Sequence, residues 1–297
     1  MQSAETTDRR QGMALQVLAF LCFAAMDACA KTLAGELPVF EILWGRYLFG
    51  LIFLAPIIWR VRWRTVVATE RLGLQIARTL LLVVVTGAIF TAVAHIPLAD
   101  ATAIAFVSPL LLTALSVVIL GERVGVRRWS AVLVGFVGVL IIIRPGLTVT
   151  HWAHFMPLLA ALALALYQLA TRSLSHTDSG TTTLFYTAIG GVVVTSLIVP
   201  FLWVAPSPFA WAIMFVRGFL GIISHVCLIK AFSLAPASVL APFAYAQLIG
   251  AAGFGFFLFG HLPDGLTLLG AAIIVASGLY VWYREGRLKA AAGQPIG

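Results

Sequence analysis

Six ionisable side chains lie inside stretches of sequence that are otherwise almost entirely apolar. Charged groups are costly in a hydrocarbon environment, so such groups are functional candidates by default. A carboxylate can hold a proton or an amine, and a guanidinium offers a planar fork of donors to a carboxylate. These residue types predict binding of a small charged molecule and do not require covalent chemistry. The six are Asp27, Arg46, Arg78, Arg217, His225 and Lys230.

Arg78 and Arg217 occupy equivalent places in two halves of the chain that resemble each other. One interpretation is structural: each side chain snorkels to the nearer membrane surface or braces a loop carbonyl. The other is that one of the two attracts a substrate carboxylate at a gate. The sequence leaves both interpretations open.

Asp27 and Lys31 lie four residues apart, which places opposite charges on one face of a helix. An internal ion pair would make this helix end tolerable in lipid. The alternative is a proton or amine site at Asp27. The second half of the chain has Gln168 and Arg172 at the matching positions, so the acid occurs in one half and not in the other.

Aromatic and polar side chains inside the apolar stretches complete the candidate set, because small-molecule pockets are mostly apolar with a few placed polar groups. The alternative for each of them is ordinary packing or lipid contact. The predicted substrate-binding residues are Tyr47, Arg78, Phe90, Phe106, Ser108, Tyr167, Gln168, Arg217, His225, Tyr245 and Gln247, with Asp27 and Lys31 as a coupling site or ion pair.

Two prolines, Pro109 and Pro242, are predicted to lie inside helices. Proline removes a backbone N–H and frees a carbonyl one turn earlier, here at Ala105 and Ser238. In a membrane such a carbonyl needs a partner or a wet cavity. The prolines therefore predict either plain kinks or breaks that face a substrate.

The elements that must position these residues are membrane-spanning helices. Of the 297 residues, 61% are hydrophobic and 10% are charged, whereas a soluble domain carries roughly 25% charged residues. A crossing needs about 20 apolar residues, and the apolar runs are continuous, unlike the alternating strands of a membrane β-barrel. We predict an all-α membrane protein with ten helices at 13–34, 38–59, 73–94, 99–120, 127–144, 153–174, 181–203, 210–232, 237–259 and 265–283.

The chain contains an internal repeat. Arg78, Pro97 and Gly121 are matched 139 positions later by Arg217, Pro236 and Gly260. We place the first repeat at 1–145 and the second at 146–297, with five helices in each. Because five is an odd number, the second repeat enters the membrane from the opposite side. Inverted repeats recur in secondary transporters, where the site lies near mid-membrane between the halves.

Other kinds of site find little support in the sequence. His151 and His154 lack a clustered third metal ligand, and the chain has no nucleotide-binding loop. The chain has a net charge of +8, and its basic residues lie mostly in loops. There they indicate orientation in the membrane and not nucleic-acid binding. We therefore expect no enzyme activity, no cofactor and no metal, with a small-molecule substrate and membrane lipid as the partners.

One pattern resembles the EamA repeat of the drug/metabolite transporter superfamily. It comprises Ile96-Pro97-Leu-Ala-Asp100, Ser108-Pro109 and Leu120-Gly121-Glu122-Arg123. The second copy departs from it, reading Phe259-Gly260-His261. The resemblance extends over nearly the whole chain, and within the superfamily the sequence is similar to a bacterial amino-acid exporter.

The resemblance implies that helices 1, 3, 4, 6, 8 and 9 line a central cavity, with helices 5 and 10 at the periphery. It implies secondary transport, with export of amino acids, aromatic and other neutral ones included, across the inner membrane by alternating access. Exchange of sugar phosphates or other metabolites, a channel and an integral membrane enzyme are the alternatives. An Asp27 paired with Lys31 would stay ionised, so we expect facilitated export without obligatory proton coupling.

Lysine and arginine concentrate on one side of the predicted membrane, and only Lys31 and Arg144 lie near the other side. This bias predicts that both termini are cytoplasmic. The test uses single cysteines, Glu5→Cys or Ala292→Cys, in a chain whose three native cysteines are replaced by alanine. Each should resist an impermeant maleimide in intact cells and react after permeabilisation. Labelling in intact cells would contradict the topology and the inversion together.

Overall fold

The computed structural model describes residues 2–59, 66–120, 126–144, 151–174, 177–235 and 240–291, and the regular structure within these ranges is helical throughout. Short 3-10 helices occupy Trp152–Phe155, Val199–Phe201 and Ala241–Tyr245. The Gly121-Glu122-Arg123 motif and Pro236 lie outside the described residues. The α-helices are α1 (Gln2–Leu33), α2 (Val39–Trp59), α3 (Leu72–His95), α4 (Leu98–Ala105), α5 (Ser108–Leu120), α6 (Val126–Ile143), α7 (Met156–Leu174), α8 (Gly180–Ile198), α9 (Pro208–Leu234), α10 (Ala246–Phe259) and α11 (Gly265–Ala291).

Within the described ranges, nine helical segments are long and apolar enough to cross a membrane. α4 and α5 contribute one such segment, and the 3-10 helix before α10 forms another together with α10. The fifth predicted crossing corresponds to a shorter apolar helix, Trp129–Ile143 in α6. The prediction of an all-α multi-pass membrane protein is confirmed, and the tenth crossing stays a prediction.

The fourth and ninth crossings are broken near the two prolines at which the sequence predicted a kink or a break. α4 ends at Ala105 and α5 begins at Ser108, and a 3-10 helix that ends at Tyr245 precedes α10. Pro109 lies in the first turn of α5, and Pro242 lies in the first turn of the 3-10 helix. At a helix start the missing N–H of proline has no helical partner to lose. Each proline therefore lies at a break in its crossing and begins the helix that follows, and whether the breaks face a substrate stays a prediction. Ser238 lies outside the described residues.

The two breaks occur at matching repeat positions, although the two prolines do not. At the repeat offset of 139 residues, Phe106 corresponds to Tyr245. Their rings meet, with centroids 5.1 Å apart. The break points of two crossings therefore face each other in the interior, an arrangement typical of transporters built from discontinuous helices.

Each repeat packs mainly on the other. α1 packs on α9 and α10, and in the corresponding way α7 packs on α3, α4 and α5. α2 packs on α8, and α6 packs on α11. At the last of these contacts the backbones nearly touch, since a Cβ placed on Gly138 would lie 2.8 Å from the carbonyl oxygen of Gly270. Close approach through small residues is the usual way in which helices associate in lipid.

We call the membrane face at which α1 begins and α2 ends the terminal face, and the other the opposite face. At the opposite face Glu41 accepts a hydrogen bond of 3.1 Å from the backbone N–H of Val204. Arg144, after α6, pairs there with Asp264, before α11. Both contacts join the first repeat to the second.

Asp264 makes two contacts at the start of α11. Its carboxylate accepts a hydrogen bond of 2.8 Å from the backbone N–H of Thr267 and so caps the helix. It also accepts a hydrogen bond from Arg144. The bond from Arg144, with help from the cap, lowers the pKa of Asp264 from 3.8 to about 2.

This depressed pKa predicts how stability at the opposite face depends on pH. The contribution of Asp264 is complete above about pH 4 and is lost as the pH falls toward about 2. Asp264→Asn keeps a capping oxygen and loses the charge, so at neutral pH it should lower the free energy of unfolding by about 0–1 kcal/mol. Asp264→Ala loses the cap as well, and should cost about 0.5–2 kcal/mol more. Thermal unfolding in detergent measures both.

The difference between wild type and Asp264→Asn should shrink as the pH is lowered from about 7 to about 3. An equal difference at both values would show that the charge of Asp264 does not stabilise the fold.

Candidate functional site

Asp27, on α1, is buried and meets Gln247 at the start of α10. The side-chain nitrogen Nε2 of Gln247 donates to Oδ2 of Asp27 over 3.2 Å. The N-terminal end of a helix carries partial positive charge, so the carboxylate lies where a negative charge is stabilised. The structure thus brings two candidates of the sequence analysis into one contact between the repeats.

Lys31 takes other partners than Asp27. Its ammonium group donates to the carbonyl oxygens of Val93, at 2.6 Å, and Ile96, at 2.8 Å. These carbonyls lie at the end of α3, where the last turn of a helix lacks intrahelical partners and favours a cation. Lys31 therefore closes α1 on α3, and this contact replaces the ion pair with Asp27 that the sequence spacing predicted.

Arg217, on α9, is fully enclosed, with an exposed fraction of 0%. Its Nε donates to the carbonyl oxygen of Met26 over 3.2 Å, and its Nη1 donates to that of Ile42 over 2.7 Å. The guanidinium lies 3.9 Å from the centre of the Phe90 ring. Its Nη2 is buried without a hydrogen-bond partner. Arg217 therefore joins α9 to α1, α2 and α3 and retains a donor for a further acceptor.

Arg46, on α2, adds a second guanidinium to this region. Its Nη1 donates to Oγ1 of Thr86 on α3 over 2.5 Å. Asp27 lies within electrostatic reach of both Arg46 and Arg217, and among the described carboxylates it is the one that acts on Arg217. Two guanidinium groups therefore share one carboxylate inside the membrane-spanning region, which leaves an excess of one positive charge.

Arg78, the repeat counterpart of Arg217, has different partners. Its Nε donates to Oγ1 of Thr171, and its Nη1 donates to Oγ1 of Thr187, each over 2.6 Å. Its Nη2 donates to the hydroxyl of Tyr167, and the guanidinium lies 4.2 Å from the centre of that ring. Arg78 is buried and does not snorkel. It joins α3 to α7 and α8 on the side of the terminal face.

A further contact between the repeats lies at the terminal face. The carboxylate of Asp178 accepts hydrogen bonds from Thr69, at 2.5 Å, and from Gln75, at 2.6 Å. Burial raises the pKa of Asp178, but the hydrogen bonds outweigh it and bring the pKa below its ordinary value. Asp178 therefore stays charged at neutral pH and holds the start of α3 against the start of α8.

A cavity of about 190 Å³ is lined in part by Arg46, one of the two guanidinium groups within electrostatic reach of Asp27. Its walls come from α2, α3, α8 and α9. The lining residues are Arg46, Tyr47, Gly50, Leu54, Leu82, Thr181, Leu184, Thr187, Ala188, Gly218, Gly221, Ile222, His225, Val226 and Ile229.

These walls differ in part from those that the family resemblance implied. Crossings 3 and 8 line the cavity as expected, but crossings 2 and 7 complete it. Crossings 1 and 9 instead meet through Asp27 and Gln247, and crossings 4 and 9 meet through Phe106 and Tyr245.

The predicted substrate-binding residues therefore fall into separate groups. Tyr47 and His225 line the cavity. Tyr245 turns toward α11, since a Cβ on Gly278 would lie 2.2 Å from its hydroxyl. Ser108 is buried with no hydrogen-bond partner for its Oγ. Gln168 lies on α7, half-buried, one residue after Tyr167 in the Arg78 cluster.

Sequence reasoning missed three threonines and underrated one arginine. Thr86, Thr171 and Thr187 supply the hydroxyls that bind Arg46 and Arg78. A hydroxyl inside an apolar helix can serve as a partner for a buried charge. These threonines could therefore have been predicted as partners of the buried arginines. Arg46 was recognised as ionisable but was not included among the binding residues.

The structure describes no metal centre. In the described ranges, no three or more His, Cys, Asp or Glu side chains cluster closely enough to hold a metal ion. His151 accepts a hydrogen bond of 3.2 Å from the backbone N–H of Ala153 and caps a 3-10 helix. Its ring stacks on that of His95, with centroids 5.4 Å apart.

Comparison with known proteins gives several relatives that match over almost the full length. The S-adenosylmethionine uptake transporter of Rickettsia felis is 31% identical over 92% of this chain and 93% of its own. The pseudopaline exporter CntI of Pseudomonas aeruginosa is 31% identical over 90% and 94%. The riboflavin transporter of Vibrio cholerae is 29% identical over 91% and 92%. The relatives thus share transport and differ in substrate and direction.

A solved crystal structure shares the fold, with a TM-score of 0.63 over 94% of this chain and 98% of that protein at 18% identity. The EamA-like transporter family matches the chain twice, over residues 10–144 and 151–283. The finer resemblance to amino-acid exporters is not shown by the relatives named above. The family itself is shown: this chain is a membrane transporter that belongs to the EamA-like transporter family.

Proposed function

We propose that this chain exports amino acids or amino-acid derivatives across the bacterial inner membrane by alternating access, with both termini in the cytoplasm. The substrate binds without covalent change. Its charged groups bind at Asp27 and Arg46, beside Arg217, and the rest of the molecule occupies the adjoining cavity.

The observation that carries this proposal is the shared carboxylate. Buried charges in membrane proteins are usually paired, whereas here two guanidinium groups lie within electrostatic reach of one carboxylate, Asp27. A substrate carboxylate bound by Arg46, on the cavity wall, would balance the remaining positive charge through charge-assisted hydrogen bonds. A substrate amine would be held by Asp27. An α-amino acid carries both groups.

The excess of one positive charge at this site favours some substrate classes over others. S-adenosylmethionine, for which the Rickettsia relative is named, carries the same amino and carboxylate groups and belongs to the proposed class. Riboflavin carries no carboxylate. A sugar phosphate would bring two negative charges to a site with an excess of one positive charge. Both fit this group of residues less well than an amino acid does.

The contacts at the two membrane faces support alternating access. Asp178 holds the repeats together at the terminal face, and Glu41 with Val204 does so at the opposite face. Each contact consists of one or two hydrogen bonds near helix ends, worth about 0.5–1.5 kcal/mol apiece. Either face could therefore open in turn while the apolar contacts between the repeats persist.

One prediction of this proposal concerns the substrate carboxylate. Arg46→Gln should raise the amino-acid concentration for half-maximal transport about ten- to a hundredfold, because a hydrogen bond to a charged group contributes about 1.5–3 kcal/mol. Counterflow of labelled amino acids in proteoliposomes measures this, with S-adenosylmethionine, riboflavin and a sugar phosphate in the panel. An amino-acid amide, which lacks the carboxylate, should compete weakly and to the same extent in both proteins.

Arg71→Gln is the matched control. Arg71 is exposed at the terminal face and donates to Ser173 over 3.0 Å, so its loss should leave transport near the wild-type level. A wild type that distinguishes an amino acid from its amide no better than Arg46→Gln does would show the proposed function to be wrong.

The next prediction concerns energy coupling at Asp27. Asp27→Asn keeps an oxygen that can accept from Gln247 and loses the charge that would hold a substrate amine. We keep the expectation that wild-type transport proceeds without an imposed pH gradient, in which case Asp27 holds the substrate amine and carries no coupled proton. We expect Asp27→Asn to be folded and at least about tenfold less active.

Transport by both proteins is measured with and without an imposed pH gradient. If wild-type transport strictly requires the gradient and the requirement disappears in Asp27→Asn, then Asp27 carries a coupled proton and the transport is not facilitated.

A further inference from the structure

We infer that the cavity between α2, α3, α8 and α9 is a subsite for the side group of the substrate. It accepts an apolar group of one or two rings, and Gly50 sets its size. This inference rests on the proposed function, in which the charged groups of the substrate bind at Asp27 and Arg46.

The cavity has a charged end and an apolar wall. Arg46 lies at the charged end, within electrostatic reach of Asp27, and Leu54 lies toward the terminal face. Arg46, Gly50 and Leu54 follow one another at intervals of four residues, so they lie one above another on the same face of α2. A molecule whose carboxylate binds Arg46 would therefore extend past Gly50 and along Leu54.

The glycine at position 50 has no packing explanation. A Cβ placed on Gly50 meets no atom within 4 Å, although glycine inside a helix is less stable than alanine. Gly218, on the facing wall, is different, because its Cβ would lie 2.4 Å from the Cβ of Phe49. Gly218 permits close packing of α9 on α2, whereas Gly50 leaves open space inside the cavity.

The volume of the cavity limits the group that it can hold. An apolar cavity of about 150 Å³ holds one benzene molecule. The present cavity, at about 190 Å³, suits one ring or two fused rings, such as the indole of tryptophan or the purine of S-adenosylmethionine. Four carbon atoms added at position 50 would take up much of the space.

A graded series of substitutions tests the subsite. Gly50→Ala and Gly50→Leu fill the cavity in steps. Gly253→Leu is the matched control, because a Cβ on Gly253 also meets no atom within 4 Å and Gly253 does not line the cavity. Proteoliposome transport is measured for alanine, a small substrate, and for tryptophan, a two-ring substrate. Binding of tritiated tryptophan and indole-3-acetate to purified protein gives a second readout.

We expect Gly50→Leu to lower tryptophan transport and binding about tenfold or more and alanine transport less than about twofold, in the range by which pocket size discriminates between substrates. Gly50→Ala should lie between wild type and Gly50→Leu, and Gly253→Leu should match wild type. Unchanged tryptophan binding in Gly50→Leu would overturn the inference, since the cavity would then hold something else, such as a lipid chain. An equal loss for both substrates would overturn it too, because the cavity would be a common passage.

The proposed function can fail separately. A wild type that neither transports nor binds amino acids, yet binds indole-3-acetate in a manner lost in Gly50→Leu, would contradict the proposed function and support the subsite. A wild type that binds neither ring compound would overturn the subsite.

Discussion

The need to give each charge inside the membrane a partner governs how the helices of this protein are arranged. Arg217 finds acceptors for its Nε and Nη1 where the carbonyls of α1 and α2 and the ring of Phe90 converge. Asp27 draws α10 against α1 through Gln247, and Lys31 draws the end of α3 against α1. The residues that hold the bundle together therefore also form the candidate site.

The repeat is symmetric in sequence and asymmetric in chemistry. Arg217 binds backbone carbonyls of α1 and α2, whereas Arg78 binds the side-chain hydroxyls of Thr171, Thr187 and Tyr167. Asp27, which has no acidic counterpart in the second repeat, adds a further difference to the Arg217 side.

The membrane class, most of the crossings and the family could be predicted from the sequence. The apolar runs and the motif between Ile96 and Arg123 are each contained in a short stretch of chain. Individual contacts could not be predicted in this way. Lys31 finds its partner Val93 at a separation of 62 residues, and only the packed end of α3 reveals it. The cavity walls were missed because close approaches such as that of Gly191 to Tyr47 set the helix spacing. Such a contact depends on two distant residues at once, so no pattern within one helix predicts it.

The repeat relates the four helices around the cavity in pairs. α2 corresponds to α8, and α3 corresponds to α9. In a conformation that opens to the other membrane face, the same four helices would therefore still line the cavity. The lining residues do not share this symmetry: Pro56 matches Pro200, and in that register Gly50 matches Val194. On the proposed function, the helices are suited to opening toward either face, while the site accepts its substrate in one orientation, with the charged end at Arg46 and the side group beside Gly50.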